Sequence, residues 1–286
     1  MRRVAWQAAV FCVTALCGSA VLAHVDVTLP SLDTAGGNPI MLKAHWFAAS
    51  ASMPAPAVVM LHGCGGAYDT RGRLSERMRD YAALLNGAGV HALVVDSLNP
   101  RGHKQICTQK LGTRNITMAN RRLDALASLE WLALQPQVDA ARLGLMGWSN
   151  GGSTVLASTN LRHAEVADAR VKPAFAIVFY PGCVAELQRG YETRTRLLMM
   201  VGEADDWTPA APCKQLAEQA QGLKPEFESY AGAYHGFDST APLRLREDVP
   251  NGVNPGKGVT VGGDAQALRR SRERLVRFLA EVAGVR

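Results

Sequence analysis

The sequence predicts an α/β protein: a mostly parallel sheet with helices on both faces. Three observations carry this expectation. After residue 23, short apolar runs of strand length alternate with segments of helical period. No internal repeat or long linker interrupts the alternation, so residues 24–286 read as one domain. Four unusual segments each follow a predicted strand: His62-Gly63-Cys64-Gly65-Gly66, Gly147-Trp148-Ser149-Asn150-Gly151-Gly152, Gly202-Glu203-Ala204-Asp205-Asp206-Trp207 and Tyr234-His235-Gly236-Phe237. Loops at the carboxyl ends of strands in such a sheet converge on one edge, where ligands bind.

The elements follow in order. Arg2 and Arg3 precede an apolar stretch over residues 4–22, and Val21 and Ala23 occupy the −3 and −1 positions of a peptidase site. This reads as a secretory leader cleaved after Ala23, which places the mature chain in the periplasm or the medium. A retained membrane anchor is the competing reading. Leu16 does not suit a lipoprotein signal at Cys17. Residues 25–29 and 40–47 form a leading strand pair around Gly36-Gly37-Asn38-Pro39, and residues 57–61 a strand that runs into the first glycine loop. Residues 73–86 form a helix with Leu74, Met78, Tyr81, Ala82 and Leu85 on one face, stopped by Gly87 and Gly89. A strand at 90–95 leads into a polar loop, 96–113, that holds Arg101 and Cys107. A helix at 121–134 closes before Pro136, and a strand at 143–146 enters the segment around Ser149. The remainder reads as a helix from 151 to about 160, strands at 175–180 and 196–201, a helix after Pro212, a strand at 227–230 and an amphipathic helix at 265–283.

Composition excludes several function classes. The chain is 48% hydrophobic and 20% charged, an ordinary globular balance. Of its net charge of +6, two units leave with Arg2 and Arg3, and the other basic residues are scattered. No nucleic-acid partner is expected. Cys12 and Cys17 leave with the leader, so Cys64, Cys107, Cys183 and Cys213 remain. An even number in an oxidising compartment implies disulfides, with three possible pairings. No CxxC and no His/Cys spacing typical of zinc occurs, so neither metal nor cofactor is expected.

Chemistry concentrates at Ser149. A serine hydroxyl is a poor nucleophile at neutral pH and needs a positioned base. In a sharp strand-to-helix turn it is lifted above the sheet in a strained conformation, and neighbouring backbone comes so close that only small residues fit two positions away. Gly147 and Gly151 meet that demand. Only His163 and His235 follow Ser149 among the histidines; His163 sits in a helix-end loop, so His235 is the candidate base. The acid that orients it is Asp205 by preference, with Asp206 and Glu203 in the same loop as alternatives. The backbone N–H groups of Asn150 and Cys64 are the candidate oxyanion donors. His62 precedes Ser149 and is read as shaping its loop.

The segments LHGCGG, Asp96 to RGH, VDAARLGLMGWSNGG, FYPGC, GEADDWTPAAPC and YHGFD, in this order, resemble the dienelactone hydrolase family of α/β-hydrolases. The resemblance spans roughly residues 57–237. It implies an α/β-hydrolase fold with an eight-stranded core and carries Ser149, Asp205 and His235 over as a triad. Enzymes that give the family its name use cysteine as nucleophile, whereas this chain has Ser149. Serine-bearing members resemble general carboxylic-ester hydrolases, so a small ester or lactone is the expected substrate. A peptidase on the same machinery and a silent binding scaffold are the rival readings. The strand order of the fold also implies the pairings Cys64–Cys107 and Cys183–Cys213. Residues 180–196 leave little room for a lid, and residues 238–263 read as a pocket wall or a solvated loop. Arg101 reads first as a member of an ordinary ion pair, with a role in greeting an anionic substrate as the alternative. Trp148 and Trp207 are candidates for bordering the cleft. Oligomeric state is not legible.

Overall fold

The computed structural model describes residues 24–51 and 54–285, so the leader expected at residues 1–23 lies outside it. The described chain opens with strands β1 (Val25–Ala35), β2 (Asn38–Phe47) and β3 (Ala55–Leu61), then helix α1 (Glu76–Gly87), β4 (His91–Asp96), α2 (Met118–Ala133), β5 (Val138–Trp148) and α3 (Asn150–Thr159). It continues through α4 (Ala164–Ala167), β6 (Phe175–Phe179), α5 (Val184–Arg189), β7 (Glu192–Thr193), β8 (Arg196–Gly202), α6 (Ala210–Gln219) and β9 (Gln221–Gly222). It closes with β10 (Glu226–Tyr230), β11 (Arg244–Arg246), β12 (Val259–Val261) and α7 (Ala265–Ala283).

Eight strands form one sheet in the order β1-β2-β4-β3-β5-β6-β8-β10. The leading hairpin is antiparallel within itself and to β4, and the other pairings are parallel. The sequence explains the difference. β3, β4 and β6 are buried at every residue, as strands covered on both faces must be, and so read as unbroken apolar runs. β1 and the first half of β2 alternate exposed and buried positions, because one face of the hairpin meets solvent. Within the buried strands the period of two still sorts side chains. Ala57, Val59 and Leu61 pack with Leu129 and Leu132 of α2 and Val155 of α3, whereas Val58 and Met60 pack with Met78 and Tyr81 of α1 and Leu275 and Phe278 of α7. Helices cover both faces of one continuous sheet.

Helix starts differ from those the sequence pattern predicts, and caps explain why. α2 begins three residues before 121, because Thr117 and Asn120 form a reciprocal capping box. Arg121 therefore sits within the first turn. α1 begins after residue 73, since the chain from Asp69 to Arg73 is closed into a turn by Asp69. α7 is capped by Asp264, which accepts from the Ala267 N–H. The short α4 and α5 lack the length for a helical period to show. Cys64 pairs with Cys107 and Cys183 with Cys213. Across sequence separations of 43 and 30 residues, each bridge contributes about 4 kcal/mol in the chain-entropy account.

Candidate active site

Ser149 stands alone between the end of β5 and the start of α3, with φ 53° and ψ −119°. A non-glycine residue at positive φ is strained and persists only where its surroundings over-determine it. Here the Ser149 N–H donates to the Phe179 carbonyl at 2.9 Å. A Cβ on Gly147 would stand 2.3 Å from the Gly151 carbonyl oxygen, and one on Gly151 would stand 2.0 Å from that of Leu61. Both positions therefore exclude side chains, and that close approach holds β3, β5 and α3 together beneath the serine.

A hydrogen-bonded relay leads away from this turn. Ser149 Oγ lies 2.9 Å from His235 Nε2, and His235 Nδ1 lies 2.8 Å from Asp205 Oδ2. All three residues are buried, with Ser149 the most accessible at 8%. Asp205 Oδ1 accepts from the N–H groups of Trp207 and Thr208, both at 2.8 Å, so the carboxylate is fixed from both ends. Of the three acids in this loop, only Asp205 meets His235. Asp206 turns to the Thr260 N–H and hydroxyl, and Glu203 accepts from Ser229. His163 is buried elsewhere against Glu186.

The candidate oxyanion donors come from two segments beside Ser149. Asn150 opens α3, where the first helical N–H groups have no partner within the helix. Cys64 follows β3 and lines the same cleft as Ser149. Its carbonyl accepts from Ile106 N–H at 2.8 Å, and its disulfide fixes it to the same loop. The cleft itself has a volume of about 560 Å³, within the ordinary range for a small-molecule site. Residues 238–263 supply one of its walls through Ser239, Ala241, Arg244, Arg246 and Val261.

The dienelactone hydrolase family model matches residues 43–283. The chain belongs to the dienelactone hydrolase family. It is therefore a hydrolase acting on esters or lactones. Solved structures of similar fold include a putative dienelactone hydrolase from Klebsiella pneumoniae, at 16% identity and a TM-score of 0.64, covering 91% of this chain and 98% of that one. A dienelactone hydrolase from Anabaena variabilis matches at 17% identity and a TM-score of 0.62, with the same coverages. Thermogutta terrifontis esterase 2 phosphorylated by paraoxon matches at 17% identity and 0.60, covering 91% of this chain and 95% of its own.

Two further residues in this family member were not singled out from sequence. Arg121 is wholly buried; one of its terminal nitrogens donates to Asn150 Oδ1 and the other to the His62 carbonyl at 2.8 Å. The guanidinium thus spans the two segments that bear the candidate oxyanion donors. Burial lowers its pKa to about 10, and it has no ion-pair partner among the described residues. The neighbouring His62 ring donates from Nδ1 to the Gly63 carbonyl and accepts at Nε2 from the Ser97 N–H. Burial, aided by the Arg121 charge, lowers the His62 pKa to about 3, so this ring is neutral. Asp238, in the YHGFD segment, is the other. Its carboxylate accepts from Trp148 Nε1, the Tyr180 hydroxyl and Arg77, behind the serine turn.

The structure corrects one substrate-binding expectation. Arg101 does not line the cleft: its guanidinium is committed to Asp33, Asp124 and the Ser97 carbonyl. Its position one turn past β4, beside β1 and α2, makes it a tie between those elements. Trp207 borders the cleft and packs on His235, with ring centroids 4.6 Å apart. Trp148 also contributes to the lining but is only 1% exposed, and it stacks on Phe179. The expectation of no metal-capable cluster also changes. His24, immediately before β1, lies beside Asp26 and His45 of the paired strands β1 and β2, a grouping that sequence spacing conceals. No helix among the described residues is long and apolar enough to cross a membrane.

Proposed function

We propose that this family member is a serine hydrolase that cleaves carboxylic esters through an acyl-enzyme. The observation that supports it most directly is the unbroken relay from Ser149 Oγ through His235 to Asp205, at 2.9 and 2.8 Å. His235 Nε2 takes the Ser149 proton as Oγ attacks the acyl carbon. Asp205 holds the ring with Nε2 facing the serine and stabilises the imidazolium. The amides of Asn150 and Cys64 bind the oxyanion, and Arg121 keeps those two segments in register. The tetrahedral intermediate collapses as His235 protonates the leaving alcohol, which departs. Water then enters, gives a proton to His235 and attacks the acyl carbon; His235 returns that proton to Ser149 Oγ as the second tetrahedral intermediate collapses and the acid is released. Water attack regenerates the free hydroxyl, so the cycle consumes only substrate and water.

The chain is also proposed to be exported after cleavage at Ala23, a reading supported by two disulfides that suit an oxidising compartment. The test of the chemistry is hydrolysis of a series of p-nitrophenyl esters by the protein and by Ser149→Ala. Turnover should fall by roughly 10⁴-fold or more in the variant. Thermogutta terrifontis esterase 2 is phosphorylated by paraoxon. The same reagent should add one diethylphosphoryl group at Ser149 here, with loss of p-nitrophenol. Equal turnover by both proteins would refute the role of Ser149, and failure to label together with no turnover would favour a silent scaffold.

A further inference from the structure

We propose that His24, Asp26 and His45 form a binding site for a divalent transition metal of the Zn²⁺ class. The cluster lies on the leading hairpin, where the antiparallel register sets Asp26 directly opposite His45. Asp26 Oδ1 is 2.7 Å from His45 Nδ1 and 3.3 Å from His24 Nε2, and one ligand atom from each residue fits within a span of 4.8 Å. Tetrahedral zinc with bonds of about 2.0–2.1 Å sets its ligand atoms roughly 3.4 Å apart. The three atoms are therefore already near the separations a metal requires, and the ion would replace the proton now shared between His45 and Asp26.

The surroundings fit that exchange. A metal-ligating imidazole commonly anchors its other nitrogen on an oxygen, which fixes the ring and its tautomer. His45 Nε2 is 3.0 Å from the Tyr68 hydroxyl, which can donate or accept. When the metal takes Nδ1, the proton moves to Nε2 and Tyr68 becomes the acceptor, so no hydrogen bond is forfeited on that side. His24 is held edge-on to His45, with centroids 4.8 Å apart, and packs on Phe47 at 5.0 Å. The side chains of His24 and Asp26 are 35% and 78% exposed, so an ion can enter and complete its shell with water. Two imidazoles with one carboxylate suit borderline cations such as Zn²⁺ better than Ca²⁺ or Mg²⁺, which take oxygen ligands.

His24 and Asp26 precede residue 43, where the family match begins. His45 lies within the matched range, and none of the three residues lines the cleft that holds Ser149. An ion there would staple the first residues of the edge strand β1 to β2. Neither disulfide reaches this hairpin.

Equilibrium dialysis against about 1 µM free Zn²⁺, with protein purified without a polyhistidine tag, tests the site. One equivalent should be retained by the parent. Loss of a direct ligand in His45→Ala or Asp26→Asn should weaken retention by at least about 100-fold, and Tyr68→Phe by about 10-fold. Circular dichroism would verify that each variant is folded; Asp26→Asn is the mildest change and keeps the result interpretable. The proposal is overturned if the parent retains no zinc, or if a folded His24→Ala/His45→Ala double variant retains as much as the parent.

Discussion

Replacing His62 by glutamine should remove a specific part of the acid sensitivity of this protein. The His62 ring is neutral because it is wholly buried beside Arg121, and both nitrogens are satisfied only in the tautomer with a proton on Nδ1. Its folded pKa is about 3, against about 6.5 in the unfolded chain. Between those values the unfolded state binds a proton that the folded state refuses, so stability falls as pH drops through the window and is fully present above 6.5. One pKa unit corresponds to about 1.4 kcal/mol. Lowering pH from 7.5 to 4.5 should therefore cost about 3 kcal/mol through His62 alone. The glutamine side chain would not titrate and can still accept from the Ser97 N–H. Urea unfolding of both proteins at several pH values isolates the effect, since every other carboxylate and histidine is common to them. The parent should lose about 3 kcal/mol more than the variant across that range. Parallel pH profiles would refute the claim that His62 is held neutral.

Arg121→Met should lower kcat by roughly 100-fold with KM changed only a few-fold, because the segments proposed to bind the oxyanion lose their common anchor while the cleft walls remain; an unchanged kcat in a folded variant would refute the positioning role. Asp205→Asn should reduce kcat by about 10⁴-fold through the wrong His235 tautomer. Asp206→Ala should instead act mainly on KM, by loosening Thr260 and the cleft wall, and steady-state kinetics of the pair would show whether adjacent acids divide in this way. Gly151→Ala should destabilise by about 3 kcal/mol, since its Cβ would lie 2.0 Å from the Leu61 carbonyl, and a thermal melt checks it.

What could be read in advance was what depends on local chemistry. The elbow around Ser149 was legible because Gly147 and Gly151 are demanded by steric contact two residues away, and a demand of that kind is written in composition. The unbroken apolar runs of β3 and β6 likewise disclosed strands buried on both faces. The choice among Glu203, Asp205 and Asp206 was not legible to the same degree. Three acids within four residues differ only in which way the loop turns them, and the turn is set by the Trp207 and Thr208 amides on Asp205. Arg121 was invisible for another reason: its partners lie 29 and 59 residues away, and on its own helix it resembles any arginine near an N-terminus. Arg101 shows the converse. A basic residue in a polar loop near the site left an ion pair and an anionic substrate both open, and Asp33 and Asp124, 68 and 23 residues away, decide for the ion pair.

The attachment of residues 238–263 bears on how such an enzyme can change its diet. Near its end this excursion is held by Asp206 to Thr260 and by His235 to Gly262. Both anchors sit immediately beside the relay, whereas the stretch between them and Asp238 touches neither Ser149 nor His235 through a hydrogen bond. It is tied instead through the Val253 N–H to the Asp206 carbonyl and through Asn251 to Gln109 and Leu111, so changes in it leave the contacts of the proposed relay in place. Selection can remodel the wall and leave the relay intact, so one hydrolytic frame can be fitted to different acyl groups by exchanging a single stretch of chain.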